Sequence, residues 1–127
     1  MSELLGIARF KFHEGMREEW LRLSDQAREM VRANEPGTLQ YDIYLNADQS
    51  EAMVIERFRD SEAAMQHAAN LGDLFDAVLA TVEVIHGEVL GDPSAELRAN
   101  LAENDVPVLF TPYRSVGRRR GFRRPCA

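Results

Sequence analysis

Glu35-Pro36-Gly37 is the point in this chain that most narrows what it can fold into. Proline cannot continue a helix, and glycine supplies the turn that follows one. Ahead of it, Met16, Trp20, Leu23, Ala27 and Met30/Val31 recur at spacings of three and four. Between them stand Glu18, Glu19, Arg22, Arg28, Glu29 and Arg32. That pattern predicts an amphipathic helix of about 18 residues that stops at the turn. After it, Leu39, Tyr41, Ile43 and Leu45 alternate with Gln40, Asp42 and Tyr44, the period-two signature of a strand. Asn46-Ala47-Asp48-Gln49-Ser50 reads as a hairpin loop, and Ala52 to Phe58 as the returning strand. Asp60 or Ser61 caps a second helix, with Glu62 in its first turn, where the helix dipole favours an anion.

The flanks complete the order. Leu4 to Phe12 is strand-like, with Leu4, Gly6, Ala8, Phe10 and Phe12 on one face and Leu5, Ile7, Arg9 and Lys11 on the other. Leu71-Gly72-Asp73 interrupts the second helix, and Val82 to Leu90 is a fourth strand. Past Gly91-Asp92-Pro93-Ser94, residues Ala95 to Glu103 read as a short helix. Val106 to Thr111 reads as an edge strand bordered by prolines. The sequence β-α-β-β-α-β plus an appendage predicts an α+β, ferredoxin-like fold with four antiparallel strands and two helices on one face. Two helices leave the other face bare, although the first and third strands carry apolar residues on both sides. A second copy of the chain is the simplest cover, so a homodimer packed sheet against sheet is expected. The expected divisions are a domain over 1–91, an extension over 92–113 that packs on the domain or the partner subunit, and a basic tail over 114–127.

Bulk properties limit the function classes. At 127 residues the chain is long enough for one domain with a real core. No stretch is apolar enough to span a membrane, the first residues lack a signal-peptide pattern, and Cys126 is the single cysteine. A cytoplasmic protein is the expectation. The net charge of -6 is uneven: residues 1–113 hold all 21 acidic side chains, whereas Arg114, Arg118, Arg119, Arg120, Arg123 and Arg124 stand in a tail without acids. An acidic body does not fit a nucleic-acid-binding domain, and the tail reads as a solvated extension.

The quoted pieces, taken in order, resemble the antibiotic biosynthesis monooxygenase superfamily. They are Glu35-Pro36-Gly37-Thr38-Leu39-Gln40-Tyr41, the strand end Ile55-Glu56-Arg57-Phe58, then Ser61-Glu62-Ala63-Ala64 with His67, and Phe75 downstream. The likeness covers about residues 5–90, and Leu109-Phe110-Thr111-Pro112 is similar to the last strand of some members. It implies a dimeric α/β barrel. It also implies a monooxygenase that oxidises a small aromatic or quinol-like substrate with molecular oxygen and needs no cofactor. Where polyketide oxygenases of the family place asparagine and tryptophan on the third strand, this chain has Val54 and Phe58. Where haem degraders place a tryptophan in the second helix, it has His67. The resemblance therefore points to the quinol-oxygenase-like or isomerase-like branches.

His67 is the leading candidate base, because an imidazole titrates near neutrality and can take a proton from a phenol or from carbon beside a carbonyl. Glu56 is the candidate that orients His67 or titrates with it, with an ion pair to Arg9 as its structural alternative. Tyr41, Phe58, Phe75 and His86 are the candidate substrate contacts, and Tyr41 and Tyr44 must lie on opposite strand faces. His13 and His86 lack metal-ligand spacing, so no metal site is expected. Two other readings stand beside the oxygenase: an isomerase with a His67/Glu56 proton shuttle, and a non-catalytic ligand-binding dimer.

Overall fold

The computed structural model describes residues 2–117. Most of the arginine tail, from Arg118 onward, and Cys126 lie outside the described residues. The elements are β1 (Leu4–Phe12), α1 (Arg17–Asn34), β2 (Thr38–Leu45), β3 (Glu51–Phe58), α2 (Ser61–Leu71), α3 (Asp73–Leu79), β4 (Val82–Leu90), α4 (Ala95–Ala102) and β5 (Val108–Phe110). The strands form one mixed sheet in the order β2-β3-β1-β4-β5. The first four are antiparallel, and β5 joins the β4 edge in parallel. This is the expected ferredoxin-like α+β arrangement with a helix and strand appended. The last strand is shorter than its apolar run, because Pro107 at one end and Pro112 at the other donate no N–H to a ladder.

Alternation sorts each strand between two faces. Leu4, Phe10, Val54, Phe58 and Val82 turn towards the helices and are buried, together with Trp20, Leu23, Ala27 and Val31 of α1. Trp20 anchors this layer, its ring packed against Phe10 and Phe12 at centroid distances of 6.2 and 5.3 Å. On the opposite face Leu5, Ile7 and Ile55 are only half-buried, and Met53, Tyr44 and Leu90 are exposed.

Two local devices fix the second helix. Asp60 is the N-cap, accepting a hydrogen bond from the Ala63 backbone N–H at 2.9 Å. That contact holds the Asp60 carboxyl below its usual range despite some desolvation. Gly72 then separates α2 from α3 with φ +47° and ψ -126°, a backbone conformation that side chains with a Cβ rarely adopt. The predicted interruption at Leu71-Gly72-Asp73 is thus a true break.

Gly37 has a different role. A Cβ added there would stand 2.7 Å from Ala63 Cβ, so the turn and α2 touch backbone to side chain. Gly37→Ala is expected to push the turn away from α2 and cost about 1–3 kcal/mol. Urea unfolding of the variant beside wild type measures it, and an unchanged midpoint contradicts the close packing.

Candidate active site

The turn and the second helix converge on one buried ring. His67 lies one and a half turns into α2 and is 4 % exposed. Its Nδ1 is 2.8 Å from Oε1 of Glu35, which is itself buried at the end of α1. Glu35 Oε1 also accepts from Thr38 Oγ1 at 2.8 Å, and Oε2 accepts from Asn70 Nδ2 at 3.1 Å. Burial alone would raise the Glu35 carboxyl, but these donors and the His67 charge outweigh it and leave its pKa below the usual carboxylate value. An ionised carboxylate only accepts, so the proton on Nδ1 belongs to His67 and the tautomer is fixed.

The other ring nitrogen faces the sheet. His67 Nε2 is 3.6 Å from Oε1 of Glu56, longer than a hydrogen bond, and it has no hydrogen-bond partner among the described residues. Burial works against the imidazolium. The carboxylates of Glu56 and then Glu35, on either side of the ring, overcome that penalty and raise the His67 pKa. Tyr41 and Phe58 close the remaining sides, with ring centroids 5.6 and 5.4 Å from the imidazole. Because Nδ1 and Nε2 point in opposite directions, the two carboxylates cannot share an ion with this ring. Among the described residues no group of three or more His, Cys, Asp and Glu has metal-holding geometry.

Glu56 carries the array to a cavity. It pairs in register with Tyr41 of β2 and with Gly6 of β1, which has no side chain to cover the carboxylate. A cavity of about 60 Å³ lies between sheet and helices, lined by Ala8, Phe10, Tyr41, Val54 and Glu56 from the strands and by Trp20, Ser24, Ala27, Leu71, Phe75 and Val78 from the helices. Tyr41 keeps its phenolic proton firmly, because burial and the charges of Glu56 and Glu35 disfavour the phenolate. The cavity therefore offers one carboxylate, Glu56, and the neutral hydroxyls of Tyr41 and Ser24, amid largely apolar walls. A larger depression of about 370 Å³, bordered by Phe12, His13, Arg17, Asp48 and Ser50, is open to solvent and reaches no buried titratable group.

The structure brings together His67, Glu56, Tyr41 and Phe58, with Phe75 half-exposed at the cavity's border. Glu56 is not the partner of Arg9, which instead bonds Glu51 at 2.6 Å. Tyr44 is exposed on the opposite sheet face from Tyr41, as alternation requires. His86 is not at the site: it stands exposed on the helix-free face, opposite Arg9 of β1. Sequence reading saw Glu35 only as a helix end and passed over Thr38 and Asn70. The available signal was an acid directly before Pro-Gly with a threonine three residues on.

Residues 5–84 match the family model of the antibiotic biosynthesis monooxygenases, and the chain belongs to that family. MupZ from Pseudomonas fluorescens superposes with a TM-score of 0.76 at 21% identity, covering 91% of this chain and 89% of that one. Rv0793 from Mycobacterium tuberculosis gives 0.63 at 26% identity over 72% and 96%. SnoaB from Streptomyces nogalater, a cofactor-independent oxygenase, gives 0.62 at 17% identity over 75% and 97%. At their identities, MupZ and SnoaB establish likeness of fold. No curated protein sequence matches this chain. No helix of the described residues is long and apolar enough to cross a membrane.

Proposed function

We propose that the chain is a cofactor-independent monooxygenase acting on a small aromatic or quinol-like molecule. The observation that carries this reading is the line Glu35–His67–Glu56, which ends on a carboxylate in an apolar, aromatic-bordered cavity. Family membership and the likeness to SnoaB, itself a cofactor-independent oxygenase, support oxygen as the co-substrate.

An activated carbon acid, a CH2 between a carbonyl and an aromatic ring, illustrates the chemistry. Glu56 takes a proton from the CH2 and passes it to neutral His67 at Nε2, and the imidazolium formed is held between two carboxylates. The carbanion gives one electron to oxygen, recombination of the two radicals makes a C–O bond, and the peroxide anion takes back the proton held on His67 by way of Glu56. The hydroperoxide then loses its remaining C–H proton and the outer oxygen as water, leaving a ketone. One O2 is consumed, one oxygen atom stays in the product, and one leaves in water. The apolar walls keep bulk water from the carbanion and hold the rings in place.

At about 60 Å³ the cavity holds only a few waters, well below the few hundred Å³ of a ligand site. Admission of substrate therefore displaces part of the roof. The helix α3 is the segment suited to this, since none of its residues is buried and it is joined to α2 through Gly72.

Oxygen uptake with a panel of hydroquinones and carbon acids, wild type beside His67→Ala, is the test. Substrate-dependent uptake that falls in the variant is the expected result. Equal uptake by the two proteins defeats the proposal. Substrate rearrangement without uptake points to an isomerase using the same proton path, and binding with neither points to a ligand-binding protein.

The helix-free sheet face, with Ile7 and Ile55 at its centre and Met53, Tyr44 and Leu90 around them, is the surface on which a second copy would pack. Sedimentation equilibrium at micromolar concentration is expected to give about twice the 14.4 kDa chain mass. A single-chain mass excludes the dimer.

A further inference from the structure

The proton path accounts for one end of the cavity. At the other end stands Trp20, 1 % exposed, whose ring lines the cavity and whose Nε1–H has no hydrogen-bond partner among the described residues. A buried donor without an acceptor is costly, and native structures rarely leave one unless a ligand or water completes it. The Ser24 hydroxyl, also in the cavity lining, donates to the Leu21 carbonyl of its own helix. The rest of the wall near Trp20 is Phe10, Ala27 and Val78, none of which has a side-chain acceptor.

Register sets the spacing along β1 of the positions beside which the two polar ends stand. Glu56 is opposite Gly6 of β1, whereas Trp20 packs on Phe10 and Phe12 of the same strand. Four residues of strand separate Gly6 from Phe10, roughly 13 Å. One aromatic ring is short for that interval, and two fused rings bearing an oxygen at each end suit it.

We propose that Trp20 is a substrate-binding residue whose indole N–H donates to an oxygen at the far end of a two-ring aromatic substrate, while the acidic group at the near end meets Glu56. The specificity that follows is for fused-ring compounds oxygenated at both ends over those oxygenated at one. This rests on the cavity being the substrate site proposed above, but it needs no turnover.

Naphthalene-2,6-diol and 2-naphthol differ only in the second oxygen. Calorimetric titration of each into the protein under anaerobic conditions, for wild type and Trp20→Phe, reads the preference without oxidation. Wild type is expected to bind the diol about three- to tenfold more tightly, the worth of one hydrogen bond. Trp20→Phe keeps a ring in the core and is expected to bind the two alike. The chain has a single tryptophan, so one indole N–H resonance can also be followed in the wild-type protein. It should move downfield with the diol and not with 2-naphthol, a measurement that stands even if the variant does not fold. Equal affinities in wild type, a preference retained by Trp20→Phe, an unmoved indole resonance, or no binding of either compound overturns the proposal. Preference for the diol together with no oxygen uptake on any substrate would overturn the oxygenase reading and leave the Trp20 contact standing.

Discussion

Glu56→Gln lowers turnover by about two to four orders of magnitude, the usual worth of a positioned proton acceptor. Glutamine keeps the shape of the carboxylate and its place opposite Gly6 and Tyr41, so the cavity lining survives. It cannot take a proton, and substrate is then cut off from His67, which is buried behind it. His67→Ala leaves Glu56 in place and removes the residue that receives the proton, so kcat should fall while KM changes little. The pH profile supplies a second readout. His67 accepts a proton only when neutral, and its pKa is raised above 6.5, so activity should climb as pH rises through that higher value. Glu35→Gln removes one of the two anions that favour the imidazolium and should move the climb to lower pH. Steady-state oxygen consumption across the pH range checks both. A Glu56→Gln enzyme within threefold of wild type would remove Glu56 from the chemistry.

Glu35→Ala is expected to cost about 3–5 kcal/mol of stability, the range for deleting one member of a buried pair. The loss leaves His67 Nδ1, Thr38 Oγ1 and Asn70 Nδ2 without their shared acceptor. The pair also gives stability a pH window. Glu35 titrates below its ordinary 4.5 in the folded state, so its contribution is present above that value and fades as pH falls through the lowered one. His67 titrates above its ordinary 6.5, so its contribution is full below 6.5 and fades as pH rises through the raised one. Stability from the pair is therefore greatest between about 4.5 and 6.5. Urea unfolding at several pH values should show this optimum in wild type and a flatter profile in Glu35→Gln. A Glu35→Ala protein that unfolds within about 1 kcal/mol of wild type would mean the pair is not a structural tie.

Local order was legible because local physics writes it. Period-two alternation placed β2 and β3, the Asp60 cap placed the start of α2, and Pro36-Gly37 placed the end of α1. The same alternation separated Tyr41 from Tyr44. It did not show that Glu35, 32 residues before His67, closes over the imidazole. Nor did it show that Trp20, in the layer across from the sheet, would be left with a free donor.

The chain's own pattern determined which segments are strands and helices, which face of each is apolar, and the family those elements belong to. Only the folded arrangement decided that one histidine is gripped between two carboxylates, which of them reaches the cavity, and that His86 is outside it. The division has a physical cause. Periodicity and caps act over a few neighbouring residues, whereas protonation and access depend on what packing brings within about 4 Å from distant parts of the chain.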